Sequence, residues 1–167
     1  MGHVWLIGMM GTGKTSVGRA LAERLALPFY DTAATVAANA GMPIVEIFEH
    51  SGESLFRDME TRAVRAIAPQ DDGVISTGGG VVLDPLNVEL MRGSGTTVLL
   101  DVDVDILVAR VADAADRPMV SGDPERLVRE IASARAESYR RAADIVVDGV
   151  GSVEEVVDRV EAACNVS

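Results

Sequence analysis

Gly8-Met9-Met10-Gly11-Thr12-Gly13-Lys14-Thr15 decides the fold, because it follows the apolar run Val4 to Ile7 and fits G-x-x-x-x-G-K-[ST] at every fixed position. In such a loop the backbone amides converge on phosphate oxygens, and glycine permits the dihedrals without a Cβ in the way. Gly11, Thr12 and Gly13 make the cradle, Lys14 adds positive charge and Thr15 supplies a hydroxyl for Mg²⁺. Ser16 opens a helix read over Ser16 to Ala26, whose positive end faces the anion. Strand before and helix after are the context the pattern needs, so the segment is expected to bind a nucleoside triphosphate.

Four further short apolar segments read as strands: Pro28 to Asp31, Gly73 to Ser76, Thr96 to Asp101 and Asp144 to Val147. Helical patterns separate them, and this alternation implies an α/β fold, a five-stranded parallel sheet with helices on both faces. Thr97-Val98-Leu99-Leu100 has the unbroken apolar run of a strand buried on both sides. Residues 32–69 are too many for a simple crossover and are expected to hold extra helices. There Leu55, Met59, Ala63, Ala66 and Ile67 recur at helical spacing as a core stripe, with Arg57 and Glu60 on another face.

Between Ala112 and Asp123 the pattern breaks into small and polar residues around Arg117-Pro118, ahead of a helix from about Asp123 to Arg141. A phosphoryl-transfer site must exclude water, so an arginine-bearing lid is expected here, with a plain surface loop as the alternative. No internal repeat or linker divides the chain, so one domain over 1–167 is expected: core 1–31, 70–111 and 142–167, insertion 32–69 and lid 112–123.

Composition bounds the partners. The 167 residues are 48% hydrophobic, enough to bury a real core. Acidic residues outnumber basic ones 26 to 15, and the resulting charge of −11 argues against nucleic acid or an anionic membrane as the main partner. No apolar stretch approaches the roughly 20 residues that span a bilayer, and no export signal is visible. Cys164 is the only cysteine, so the chain makes no internal disulfide and a reducing cytoplasm is expected; in its Ala/Val-rich helix it reads as a packing residue. A monomer is the expected state.

Gly-Met-Met-Gly-Thr-Gly-Lys-Thr at 8–15, Gly-Arg at 18–19, Phe-Tyr-Asp-Thr at 29–32 and Ile-Phe at 47–48 form an ordered series. It continues with Gly-Glu and Phe-Arg-Asp-Met-Glu across 52–60, Ser-Thr-Gly-Gly-Gly at 76–80, Arg117-Pro118, Arg135 and Tyr139-Arg140. In order and spacing this series resembles the shikimate kinase family, small P-loop kinases of the nucleoside monophosphate kinase-like fold, over nearly the whole chain. The resemblance implies ATP and Mg²⁺ as cofactors and a small carboxylated hydroxy compound, above all shikimate, as acceptor. It further implies that Lys14, Asp31 and Arg117 carry catalysis, that Thr15 and Asp31 hold the metal, and that Arg110 and Arg117 face the nucleotide. Arg57 and Arg135 would grip the carboxylate, since a guanidinium pairs with it through two parallel hydrogen bonds. Glu60 would hold one arginine in place, and Gly78, Gly79 and Gly80 would complete the pocket and let the substrate approach.

The chain departs from the family pattern Asp-x-Asp after the second strand, where it reads Asp31-Thr32-Ala33. By the resemblance the missing carboxylate holds acceptor hydroxyls and helps orient or deprotonate the one attacked. A hydrogen bond to a charged group contributes about 1.5 to 3 kcal/mol, so shikimate binding is expected to weaken by roughly one to two orders of magnitude. A second departure is the absence of a basic residue in Asp148-Gly149-Val150-Gly151-Ser152 after the last strand. Besides a shikimate kinase, the sequence therefore leaves open a kinase for a related hydroxy acid, an ATP-binding regulatory module, and a nucleotide kinase or simple NTPase.

Overall fold

Five short runs of aliphatic residues pair side by side into one parallel sheet in the order β2-β3-β1-β4-β5. The structure, a computed structural model, describes residues 1–113 and 123–166. In it β1 (His3–Ile7), β2 (Phe29–Asp31), β3 (Val74–Ser76), β4 (Gly95–Asp101) and β5 (Ile145–Asp148) match the five strands read from the sequence, with ends displaced by one residue. Every residue of β1 is buried, as is Thr97 to Leu100 of β4, because helices cover both faces of the sheet. The register sets Leu6 beside both Ser76 and Val98, which brings the carboxyl ends of β1, β3 and β4 to one edge. Ligands of open α/β sheets bind at that edge.

The helices are α1 (Lys14–Leu25), α2 (Thr32–Ala40), α3 (Ile44–Ile67), α4 (Pro85–Ser94), α5 (Val104–Ala112), α6 (Pro124–Ala142) and α7 (Val153–Cys164). On one face of the sheet α1 and α7 bury Val17, Leu21, Val156, Val157 and Val160 against Val4, Leu6 and Val98. On the other, Val64 and Ile67 of α3, Met91 of α4, Leu107 of α5 and Tyr139 of α6 close over Trp5, Ile7 and Ile75. A third cluster joins Val36 of α2 to Ile47, Phe56 and Ala63 of α3, so residues 32–69 do hold extra helices with a core of their own. Cys164 packs against the α1–α7 cluster as expected, and partial burial raises its thiol pKa.

Three local readings need correction. Helix α1 starts at Lys14 rather than Ser16, because Gly13 at φ 89° turns the chain directly into the helix. The buried stripe of α3 matches the one read from apolar spacing at Ala63 and Ile67, and in part at Met59, but not elsewhere. Leu55 and Ala66 are exposed, whereas Phe56, Glu60, Ala63, Val64 and Ile67 are buried, so Glu60 belongs to the inner face and not to a separate polar one. A buried acidic residue breaks the apolar periodicity on which such a reading depends. Helix α3 is also interrupted at Gly52, at φ 77° and ψ 173°. Of the expected lid, residues 114–122, including Arg117, lie outside the described residues; Asp123 caps α6, its carboxylate accepting from Arg126 N–H at 3.2 Å.

Candidate active site

The loop after β1 folds back over the start of α1. Thr12 Oγ1 donates to Met9 O at 2.9 Å, and Lys14 Nζ donates to Gly8 O and Met9 O, each at 2.8 Å. Arg110, in the last turn of α5, donates to Gly11 O at 2.7 Å and so joins the loop from across the sheet edge. Gly11, Gly13, Lys14, Thr15, Ser16 and Arg110 line a cleft of about 490 Å³ that also reaches Asp31, Ala33, Ser76, Gly78 and Gly79. Thr12 is buried beneath the loop and does not line the cleft, so its contribution is to hold the loop shape.

Asp31 serves two elements. As N-cap of α2 its Oδ1 accepts from Ala34 N–H at 3.0 Å, while its Oδ2 accepts from Thr15 Oγ1 at 3.1 Å. Thr15 Oγ1 also lies 3.2 Å from Ser76 Oγ at the end of β3. Three hard oxygens thus converge beside the phosphate loop, a donor set that fits Mg²⁺, which keeps several waters and takes few protein ligands. Among the described residues no group of three or more His, Cys, Asp or Glu is placed to hold a metal ion. Ala33, in the first turn of α2, presents only a methyl to the cleft.

A second constellation adjoins the cleft through the loop after β3. Glu60 is 1% exposed, and its Oε2 accepts from Arg57 Nη1 at 3.0 Å. Glu60 Oε1 and Arg57 Nε are buried with no partner among the described residues. Burial pushes the Glu60 carboxyl above its ordinary pKa, and the Arg57 charge only partly opposes the shift. The glycines fit around this pair for want of space rather than for unusual dihedrals, since none of 78–80 has positive φ. A Cβ on Gly78 would stand 2.3 Å from Glu60 Oε1, and one on Gly80 2.2 Å from Arg57 Nη1. The room at 78 and 80 is therefore filled by the protein's own ion pair. Gly79 is the member with open approach: a Cβ there would lie 3.5 Å from Arg135 Nη1 and 3.6 Å from Met10 N.

Arg57, Glu60, Gly78, Gly79, Gly80 and Arg135 are thus brought together, as the sequence predicted, and Gly79 bridges them to the phosphate loop. Four contributors carried no assigned role: Ser76; Thr77, whose hydroxyl donates to Leu6 O at 2.8 Å; Thr32, whose Oγ1 accepts from Gly78 N–H at 3.0 Å; and Tyr139, whose hydroxyl donates to Gly79 O. The signal available was their adjacency to motif residues, but a hydroxyl's partner is set by the fold.

The comparisons with known proteins agree with this geometry. The family model described as Shikimate kinase matches residues 10–165. A shikimate kinase of Ruegeria pomeroyi is 43% identical over 162 residues, 96% of this chain and 83% of the relative. One from Caldanaerobacter subterraneus subsp. tengcongensis is 40% identical, covering 96% of this chain and 94% of the relative. Among solved structures, shikimate kinase from Acinetobacter baumannii in complex with shikimate superposes with a TM-score of 0.91 at 30% identity, covering 96% of this chain and 90% of that one. With a phosphate loop, a hydroxyl-carboxylate pair and two arginines meeting at one sheet edge, and with relatives this similar over nearly the full length, the chain belongs to the shikimate kinase family, enzymes that transfer phosphate from ATP.

Proposed function

We propose that this chain transfers the γ-phosphate of ATP to a hydroxyl of shikimate, giving 3-phosphoshikimate. The observation that carries the reading is Gly79, held between Met10 N of the phosphate loop and the Arg135 guanidinium, so that donor and acceptor sites share one wall. An arginine pair beside a phosphate loop suits a carboxylated acceptor, because two planar guanidinium forks fix both the charge and the orientation of a carboxylate.

Phosphoryl transfer asks mainly for positioning and charge neutralisation. Gly11, Gly13, Ser16 and the Lys14 ammonium hold the phosphates on a loop that Thr12 keeps in shape from beneath, with Arg110 on the nucleotide side. Thr15 with Asp31 would hold Mg²⁺, which would supply charge neutralisation on the phosphates. Arg57 and Arg135 seat the carboxylate, Glu60 fixes Arg57, and Gly78, Gly79 and Gly80 let the ring approach. Asp31 is the carboxylate beside the transferred group, and water exclusion falls to the expected lid 112–123 with Arg117, which lies outside the described residues. The division into core 1–31, 70–111 and 142–167, insertion 32–69 and lid belongs to this reading, as does a monomer working in the cytoplasm on a small molecule rather than on nucleic acid or membrane. Among the described residues no helix is long and apolar enough to cross a membrane.

Ala33 in the cleft favours a second reading, a hydroxy acid that lacks one of the shikimate hydroxyls. A coupled ADP-release assay with ATP and Mg²⁺, run with shikimate, with its deoxy analogues and with no acceptor, separates the two. Shikimate-dependent release supports the first. Faster turnover of a deoxy analogue supports the second, and nucleotide binding with no acceptor-dependent release rejects both.

A further inference from the structure

The three glycines after β3 create a problem of order. Glu60 and Arg57 crowd Gly78 and Gly80 so closely that no side chain fits there, and three glycines in a row make this the loosest backbone beside the acceptor site. The Gly79–Gly80 peptide is free to flip, because a flip changes ψ of one residue and φ of the next, and both are glycines. Its orientation matters. In a trans peptide the carbonyl and the N–H point in opposite directions, and the described chain has no cis bond. The Gly79 carbonyl therefore decides where the Gly80 N–H goes, and neither the Gly79 nor the Gly80 N–H has an acceptor among the described residues.

One side chain fixes that carbonyl. Tyr139, on the inner face of α6 and 4% exposed, packs its ring into the core with Met9 and Val82 and donates its hydroxyl to Gly79 O. Arg135, one helical turn earlier on α6, sets its positive charge near the same phenol, and its Nη1 reaches the space over Gly79. The hydroxyl thus holds the peptide that lies beside the Arg135 guanidinium.

Resting on the acceptor reading above, we infer that Tyr139 is a positioning residue for the acceptor: its hydroxyl locks the Gly79–Gly80 peptide so that the Gly80 N–H and Arg135 face the carboxylate together. The hydroxyl touches neither nucleotide nor reacting atoms. Its loss weakens acceptor binding and leaves ATP binding and the chemical step in place.

The test is Tyr139→Phe, which keeps the buried ring. Shikimate affinity is measured by calorimetry, and KM and kcat by ADP release, alongside the unaltered protein. The inference expects shikimate Kd and KM to rise about tenfold, the effect of one lost hydrogen bond to a preorganised group, with kcat and KM for ATP within about twofold. Unchanged shikimate binding overturns it, as does a parallel rise in KM for ATP, which marks a general packing defect. If Tyr139→Phe is not recovered folded, Tyr139→Met is read by the same split. Turnover of shikimate by the unaltered protein with no effect of Tyr139→Phe overturns the inference alone; an unaltered protein that neither binds nor phosphorylates shikimate overturns the acceptor reading with it.

Discussion

Gly80→Ala should disable the acceptor site by displacing Arg57, with every side chain that binds the acceptor still present. At φ −103° and ψ 7° the backbone of residue 80 is open to alanine, so the substitution brings no backbone strain of the left-handed kind. Its effect is steric: the new Cβ would stand 2.2 Å from Arg57 Nη1 and 2.4 Å from both Cζ and Nη2. An ordinary contact lies near 3.5 Å, so the guanidinium must retreat by about 1 Å or more, beyond the tolerance of a bidentate pair. Arg57 has somewhere to go, since its side chain is 20% exposed, but Glu60 at 1% does not. Loss of a charge-assisted contact of about 1.5 to 3 kcal/mol raises KM for shikimate by about 10- to 150-fold. Stripping Arg57 from a buried carboxylate also destabilises, but less than the 3–5 kcal/mol typical of a broken buried pair, because the Glu60 carboxyl is already biased towards protonation. The assay is steady-state kinetics on Gly80→Ala, Arg57→Ala and the double variant, with melting curves. The double variant should be no worse than Arg57→Ala in KM, since both changes remove one interaction. Additive losses, or a Gly80→Ala enzyme with ordinary KM for shikimate, would refute the reasoning.

Lys14→Ala should abolish turnover and weaken ATP binding, checked by ADP release and nucleotide titration; an unchanged rate would remove the loop from the active site. Ala33→Asp should raise kcat/KM for shikimate by about one to two orders of magnitude while leaving stability level or better, because a carboxylate in the first turn of α2 suits the positive helix end. No gain in a folded variant would mean that the acceptor pocket diverged elsewhere. Glu60 supplies a pH dependence of stability. Its pKa is raised on folding, so the native state binds more protons than the unfolded chain over a window that opens at the ordinary carboxylate pKa and closes above the raised one. Stability from this group is full below that window and falls as pH rises through it. Glu60→Gln should flatten the fall in melting temperature across the window, and an unaltered slope would show that other groups carry it.

The five strands and their chain order are legible before any coordinates, because each rests on local pattern. The eight residues from Gly8 to Thr15 demand a strand before and a helix after, and unbroken runs such as Thr97 to Leu100 are read directly as buried parallel strands. The arginines, glycines and Asp31 were likewise readable as a set, since order and spacing along the chain survive without a fold. Tertiary structure alone decided how they are used. Apolar spacing sets Glu60 on another face than the core stripe, because an acidic residue interrupts apolar periodicity, yet packing of α3 against α2 and the sheet buries it and lets it clamp Arg57. The glycine triplet was readable as a place for close approach, but not that the approaching groups at 78 and 80 are the protein's own carboxylate and guanidinium. Ser76 beside Thr15, at a separation of 61 residues, and Tyr139 on Gly79, at 60, leave no trace in any local pattern. A hydrogen bond between distant residues depends on where sheet register and helix docking set its two ends, and those are properties of the assembled chain.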